Sequence, residues 1–313
     1  MNKCIAIFGP TASGKSSLAL ALARELNSVI ISVDSMQIYK GMDIGTAKPT
    51  KKERELVPHF MIDICEPNEN YSVYEFKNEA EKIIRSLHKR GITPILVGGT
   101  GLYFDALFHN TNFGEFVIKE NVQKDLQTRL EACGSETLLK ELQEVDPETA
   151  EHLHSKDHKR IIRGLEVYYS TGKTLTEFKA ESKLQKSDFS FLKIHLVYKN
   201  RDNLYRRINQ RVDAMVEEGL ISEAKKIFDD TFTNCKTASQ AIGYKELVPY
   251  FLGDRNLDDC LETLKQKTRN YAKRQITWFK RYNDAYELIM DQEPPIYPIA
   301  RDICKQFLEE DVK

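Results

Sequence analysis

Apolar residues in this chain come in short continuous blocks separated by stretches of helical spacing. Residues 4–8, Cys-Ile-Ala-Ile-Phe, form one such block ended by Gly9-Pro10, which predicts a buried strand. Leucine and alanine at helical spacing over residues 15–26 predict a helix, and residues 29–33 predict a second buried strand that stops at Asp34. Ser72-Val73-Tyr74-Glu75 is a capping box opening a helix towards Arg90, with Gly91 as its stop. Ile95-Leu96-Val97 reads as a third strand, ended by Gly98-Gly99. Strands alternating with helices imply parallel crossovers and an open α/β sheet, whose ligands sit beyond the carboxyl ends of the strands.

The pattern changes near Phe113. Residues 119–133 (ending at Gly134), 136–145, a start at Asp146-Pro147-Glu148, and 157–171 (stopped by Gly172) are all helical, with no strand between them. Residues 192–198 alternate like a strand and return the chain to the sheet. The remainder reads as largely helical, over 203–218, 222–228, 238–251 and 257 to about 281. The expected fold class is therefore α/β: a parallel-sheet core of residues 1–113 and 190–313, an all-helical insertion domain over 114–189, and a helical C-terminal region.

Length agrees, since 313 residues at about 150 per domain make about two domains. Lys+Arg 46 against Asp+Glu 47 leaves a net charge of −1, so a nucleic-acid partner needs a local basic stripe. The cysteines (Cys4, Cys65, Cys133, Cys235, Cys260 and Cys304) include no C-x-x-C pair. That argues against a disulfide framework or a structural zinc and for reduced thiols in a cytoplasmic enzyme. No apolar run approaches the ~18 residues of a membrane span, so a soluble protein that stays where it is made is expected.

Gly9-Pro10-Thr11-Ala12-Ser13-Gly14-Lys15-Ser16 fits G-x-x-x-x-G-K-[ST] between a strand and a helix, the context that gives the motif meaning. Its backbone N–H groups can form an anion nest, with the helix N-terminus and Lys15 adding positive charge and Ser16 able to hold Mg²⁺. The motif predicts a diphosphate or triphosphate site without saying which. Asp34, just after the second strand, is placed to act as a general base, or more plainly to cap a turn. Gly98-Gly99-Thr100-Gly101 puts the Thr100 hydroxyl at the same edge, and the loop over residues 41–49 brings Thr46 and Lys48 near it.

Residues 265–281 hold Lys265, Lys267, Arg269, Lys273, Arg274, Lys280 and Arg281 with no acid, interleaved with Tyr271, Trp278 and Phe279. Cations plus stacking rings suit an unpaired RNA loop. Lys159-Arg160-Ile161-Ile162-Arg163 is a second basic candidate, while His152, His154 and His158 read as polar surface. Two other functions fit the phosphate loop. A metabolite kinase with ATP on the loop would have no use for the acid-free stretch. An RNA-binding module with a nucleotide switch would leave Asp34 and Thr100 idle.

Taken together, GPTASGKSSLA from Gly9, DSMQIYKGMDIGTAKP from Asp34, VPHFMIDI from Val57, YSVYEF from Tyr71 and GGTGLY from Gly98 resemble the tRNA dimethylallyltransferase family. DHKRIIRGLEVYYSTGK from Asp157, RVDAMVEEGL from Arg211, QAIGYKEL from Gln240 and YAKRQITWF from Tyr271 continue the likeness over nearly the whole chain. Phe60 stands where the family pattern has a second His.

The resemblance implies a P-loop NTPase-like core and transfer of a dimethylallyl group from dimethylallyl diphosphate to the exocyclic amine of the adenosine 3′ to a tRNA anticodon. It implies Asp34 and Thr100 as catalytic residues, with Mg²⁺ at Ser16. It also implies tRNA contacts by Asp34, Ser35, Met36 and Gln37, and by Lys159, Arg160, Ile161, Ile162 and Arg163. Further contacts are implied for Gln240, Ala241, Ile242, Gly243, Tyr244 and Lys245. Lys273, Arg274, Gln275, Ile276, Thr277, Trp278, Phe279 and Lys280 complete the set. A monomer is expected.

Overall fold

The computed structural model describes residues 2–109, 119–183, 187–231, 237–291 and 296–310. Six strands, β1 (Lys3–Phe8), β2 (Ile30–Val33), β3 (His59–Phe60), β4 (Ile95–Gly98), β5 (Ser190–Val197) and β6 (Tyr286–Ile289), make one parallel sheet ordered β3-β2-β4-β1-β5-β6. Every residue of β1 is buried, as expected of a central parallel strand covered on both faces. The order reverses at β1, with β2, β3 and β4 to one side and β5 and β6 to the other, which puts the ligand crevice beyond its carboxyl end. Phe8 and Val33 both pair with Gly98, so β1, β2 and β4 end at one level. The loops that follow them start side by side.

The sheet unit comprises Met1–Phe104 and Asp188–Lys313, and a helical unit comprises Asp105–Ser187. The first helices are α1 (Lys15–Glu25), α2 (Lys51–Leu56), α3 (Val73–Lys89) and α4 (Gly101–Phe108), the last of which carries the chain into the helical unit. There follow α5 (Glu120–Val145), α6 (Pro147–Glu151), α7 (His158–Thr171) and α8 (Leu175–Lys183). After β5 come α9 (Arg201–Glu217), α10 (Leu220–Thr231), α11 (Val248–Phe251), α12 (Leu257–Phe279) and, beyond β6, α13 (Ile296–Glu309). The expected border of the insertion at residues 113 and 114, like Cys235, lies outside the described residues.

Ile5 and Ile7 of β1 pack with Leu18 and Leu22 of α1, Ile194 of β5 and Ala300 of α13 in one apolar cluster. The Phe8 ring meets Phe104, Phe279 and Tyr282 at centroid distances of 5.4, 4.9 and 5.2 Å. In the helical unit Leu126, Leu138, Leu142, Ile161 and Leu165 form a separate core. Its α5 is broken at Gly134 (φ 74°, ψ 167°), where the sequence places a stop. The Asp146 carboxylate caps α6 by accepting the Thr149 N–H at 3.1 Å and ties down α8 by accepting the Thr176 hydroxyl at 2.6 Å.

Several elements differ from the sequence expectation. Residues 238–251 are not one helix: 3-10 turns at Ala238–Gln240 and Lys245–Leu247 flank Gly243, whose φ of 108° ends any helix, and only α11 follows. The C-terminal region is not purely helical, because β6 adds an edge strand. Only Leu288 of its four residues is buried, so it carries no apolar block to read. The two-residue β3 and the polar α2, which buries nothing, are equally silent in apolar pattern. A capping box at Thr50 and Glu53 marks the start of α2.

His195 on β5 lies against the rings of Phe8 and Phe279, and its Nε2 is buried without a hydrogen-bond partner. Burial holds its pKa down to about 4, against the pull of the Glu287 carboxylate 3.6 Å from Nδ1. The unfolded chain therefore takes up this proton first, and the folded state loses stability as pH falls from 6.5 to about 4. The loss is on the order of 3 kcal/mol across that window. Thermal melts at stepped pH should show that decline in the native protein and a flatter profile in His195→Phe. An equal slope in both would assign the effect to other groups.

Candidate active site

The loop from Gly9 to Ser16 leaves β1 and enters α1 through Gly14, which holds a left-handed conformation (φ 92°, ψ 10°) as the helix N-cap. The Ser13 hydroxyl is buried and has no hydrogen-bond partner. Lys15 Nζ donates to the Pro10 carbonyl at 2.6 Å, a bond within its own loop that an arriving anion can replace. From α9, Arg207 Nε donates to the Ala12 carbonyl at 3.0 Å, and Arg211 lines the same mouth together with Lys15 and Ser16. A buried hydroxyl and a lysine from the loop therefore share one space with two arginines from α9.

Asp34 stands across from that loop. Its Oδ1 accepts the backbone N–H groups of Met36 (2.9 Å) and Gln37 (3.3 Å), while Oδ2 has no hydrogen-bond partner among the described residues. Burial raises the Asp34 pKa, opposed by those two bonds and then by Lys15 and Arg211. The Lys15 pKa is pushed down to about 7, first by burial and next by Arg211, with Asp34 pulling the other way. Burial also lowers the pKa of Arg211. Lys15 is thus weakened both by burial and by Arg211, and a bound anion would favour the charged form of both cations.

Thr100 is joined to the Asp34 turn by its Oγ1, which accepts the Ser35 N–H at 3.0 Å. Asp34 and Thr100 are therefore connected indirectly, through the backbone of Ser35. Gln275 of α12 braces the edge: its Oε1 accepts the Thr11 N–H at 2.8 Å and its Nε2 donates to the Gly99 carbonyl at 2.9 Å. Gly99 and Gly98 leave no room for side chains, since an added Cβ would lie 2.2 Å from Gln275 Nε2 and 2.0 Å from the Val33 carbonyl.

Two cavities meet here. The inner one, about 80 Å³, runs between the phosphate loop and the sheet edge past Leu20, Ile30, Ile62 and Val97. The outer one, about 260 Å³ and so roughly three times larger, is lined by Ser35, Met36, Gln240, Ala241, Ile242, Gly243, Lys245 and Arg274. Thr11, Asp34, Thr46, Arg211 and Tyr271 line both and form the neck between them. Residues expected to touch phosphate and residues expected to touch tRNA thus face one continuous space. Arg207 and Arg211 were given no role from the sequence, because no local pattern separates them from the other arginines of α9. Tyr271 was read as a stacking surface and instead stands in the neck.

Other expectations are corrected by burial. Phe279 is fully buried against Phe8 and offers no stacking face. Gln275 is buried in its brace, and Ile276 packs against the cluster of Leu204 and Ala272. Trp278 lies against Gly101, where an added Cβ would be 2.2 Å from its ring, and Arg281 stacks on it at 4.2 Å. Lys265 pairs with Asp213 (2.8 Å) and Glu262 (3.1 Å), and Arg269 donates to Asn209 at 2.7 Å. Lys273, Arg274, Thr277 and Lys280 remain exposed. In the helical unit Ile161 is core and Ile162 packs on it, which leaves Lys159, Arg160 and Arg163 to face outward. Arg163 also lies 3.6 Å from Glu166. Tyr244 and Ala241 are buried, with the Tyr244 hydroxyl donating to Glu223 at 2.7 Å.

Replacing Gln275 by Leu leaves a buried N–H and a buried carbonyl unpaired, at a cost of about 1–3 kcal/mol for each unsatisfied group. The variant should melt several degrees lower and bind inorganic diphosphate at least tenfold more weakly in titration calorimetry. Unchanged diphosphate affinity would show that the brace does not shape the loop.

A family model described as IPP transferase matches residues 37–282, and one described as isopentenyl transferase matches residues 2–66. The chain is 44% identical over 306 residues to a tRNA dimethylallyltransferase of Halothermothrix orenii, covering 97% of this chain and 93% of that one. It is 46% identical over 279 residues to one of Halalkalibacterium halodurans, covering 89% and 88%. Among solved structures, the tRNA isopentenylpyrophosphate transferase of Bacillus halodurans superposes with a TM-score of 0.74 at 41% identity, covering 99% of this chain and 98% of that one. A eukaryotic dimethylallyltransferase described as acting on tRNA gives 0.84 at 33% identity, covering 98% and 80%. With a phosphate loop on a parallel sheet and likeness along nearly its whole length, this chain belongs to the IPP transferase family, that of the tRNA dimethylallyltransferases.

Proposed function

We propose that the chain transfers the dimethylallyl group of dimethylallyl diphosphate to the N6 amine of the adenosine 3′ to the anticodon in tRNA, and that the reaction takes place in the neck between the two cavities. The neck is the observation that carries this reading, because it joins the phosphate loop and an inner cavity that includes Leu20, Ile30, Ile62 and Val97 to a larger pocket. The diphosphate lies on the loop N–H groups from Ala12 to Ser16 with Lys15 and Arg211, and the five-carbon chain enters the inner cavity. The adenine, turned out of its stack, fills the outer one.

The N6 lone pair is delocalised into the ring, so the amine is a weak nucleophile and alignment matters. As the N6–C1 bond forms, the C1–O bond breaks and its electron pair goes to the diphosphate. Asp34 Oδ2 takes the amine proton, and burial makes it a stronger base than a solvated carboxylate. Lys15, Arg211 and the loop N–H groups stabilise the charge that develops on the leaving oxygen.

The donors available around the phosphate loop are hard oxygens, which suit Mg²⁺ with its preference for oxygen ligands and retained water. Among the described residues no group of three or more His, Cys, Asp or Glu could hold a metal ion alone. Ser16 Oγ with diphosphate oxygens would hold it, and when bound it would neutralise part of the diphosphate charge. Exposed Lys273, Arg274 and Lys280, and Lys159, Arg160 and Arg163 of the helical unit, contact tRNA phosphates. One chain supplies every neck residue, so a monomer suffices. Among the described residues no helix is long and apolar enough to cross a membrane, and the tRNA substrate puts the reaction in the cytoplasm.

Mass spectrometry of tRNA nucleosides after incubation with dimethylallyl diphosphate should show the N6-dimethylallyl adduct on that adenosine. Asp34→Asn should lower kcat roughly a hundredfold or more, while tRNA affinity stays within a few-fold. Unchanged turnover would remove Asp34 as the base. Lys273→Ala with Arg274→Ala should reduce the slope of log K for tRNA against log salt by about 0.7–0.9 per lost phosphate contact. An unaltered slope would mean that these side chains face only water.

A further inference from the structure

The loop after β2 supplies Gly45 and Thr46 to the outer cavity and Thr46 and Ala47 to the inner one, so one short segment borders both reactants. Its two halves are held by different side chains. Gln37 Nε2 donates to the carbonyls of Thr46 and Ala47, both at 3.2 Å, on the inner-cavity side. On the other side the carboxylate of Glu223, from α10, accepts three successive backbone N–H groups. These are Asp43 at 2.8 Å, Ile44 at 2.9 and 3.0 Å, and Gly45 at 3.0 Å. The same carboxylate accepts the Tyr244 hydroxyl at 2.7 Å.

The Tyr244 ring in turn fills the space over Gly45, where an added Cβ would lie 2.6 Å from it. Tyr244 belongs to the turn whose Ile242 and Gly243 line the outer cavity, and Gly243 lies directly against Gly45, where an added Cβ would be 3.6 Å from its Cα. Glu223 lines neither cavity, yet it joins these two adjacent segments of the outer one's lining. A half-buried carboxylate holding four donors at once is a stiff connection, because hydrogen bonds to a carboxylate are stronger than those between neutral groups. It can be made only by a carboxylate: the amide of a glutamine would turn N–H groups towards backbone N–H groups.

We propose that Glu223, acting through Tyr244 and the N–H groups of residues 43–45, is the positioning residue that sets the shape of this side of the acceptor pocket and hence the fit of the tRNA nucleobase. This rests on the reading of the outer cavity as the tRNA side. The inner cavity keeps its own tie through Gln37, so loss of Glu223 should act on one substrate and not on the other.

Steady-state kinetics with full-length tRNA and dimethylallyl diphosphate test this on the intact chain. Glu223→Gln should raise KM for tRNA tenfold or more while KM for dimethylallyl diphosphate stays within twofold. Tyr244→Phe, which removes one bond and keeps the ring over Gly45, should raise KM for tRNA about threefold. In the double variant the effects should be less than multiplicative, since both act on one connection. The proposal is overturned if KM for tRNA is unchanged in Glu223→Gln, or if both KM values rise together, which is the mark of a merely structural role. Should Glu223→Gln not fold, Tyr244→Phe decides alone, and an unchanged KM for tRNA there is equally fatal. Absence of any tRNA modification by the wild-type protein would instead sink the functional reading itself.

Discussion

Placing Lys15 and Arg211 in one half-buried mouth, with Asp34 as a counter-charge to both, is the constraint around which the sheet unit is organised. Left alone, such a cluster is costly, because burial disfavours both cations and Arg211 further disfavours the charge on Lys15. It persists because the backbone around it is fixed from several directions. The three strand ends stand level, Gln275 ties the phosphate loop to the β4 turn, and Arg207 holds the loop from α9. On the proposed reading a diphosphate would complete the cluster electrostatically, so the binding energy and the stabilisation of the leaving group would come from the same atoms.

The same rigidity divides the site into two compartments of unequal size. The neck belongs to β1, β2, α9 and α12 together with the loop after β2, so no single motif defines it. Asp34 commits one oxygen to its own turn, which holds the carboxylate still and leaves the other for the proposed role as base. The turn-capping that the sequence offered as the plainer alternative is thus compatible with that proposed role.

Helix α12 shows how one run of residues serves two purposes. Ala272, Gln275 and Phe279 follow helical spacing on the buried side, and Tyr271 reaches the neck. Lys273, Arg274, Thr277 and Lys280 fall on the exposed side. Read as a linear basic stretch the segment looks uniformly suited to RNA; read at 3.6 residues per turn, it separates into a wall of the active site and an exterior cationic face.

The strand blocks of β1, β2 and β4, the capping box at Ser72 and the phosphate loop were legible in the sequence, because each is a local pattern whose physics is complete within a few residues. The motif likeness carried the family in the same way. Edge strand β6, the folded turn at Gly243 and the roles of Arg207, Arg211 and Tyr271 were not legible, since each depends on what lies opposite in space. Burial likewise reassigned Phe279, Gln275 and Ile161, whose sequence neighbours are exposed cations. Local order determined which chemical groups the chain carries and which strand ends present them. Only tertiary packing decided which of those groups share a cavity, because desolvation and hydrogen-bond partnership arise between segments that are distant along the chain.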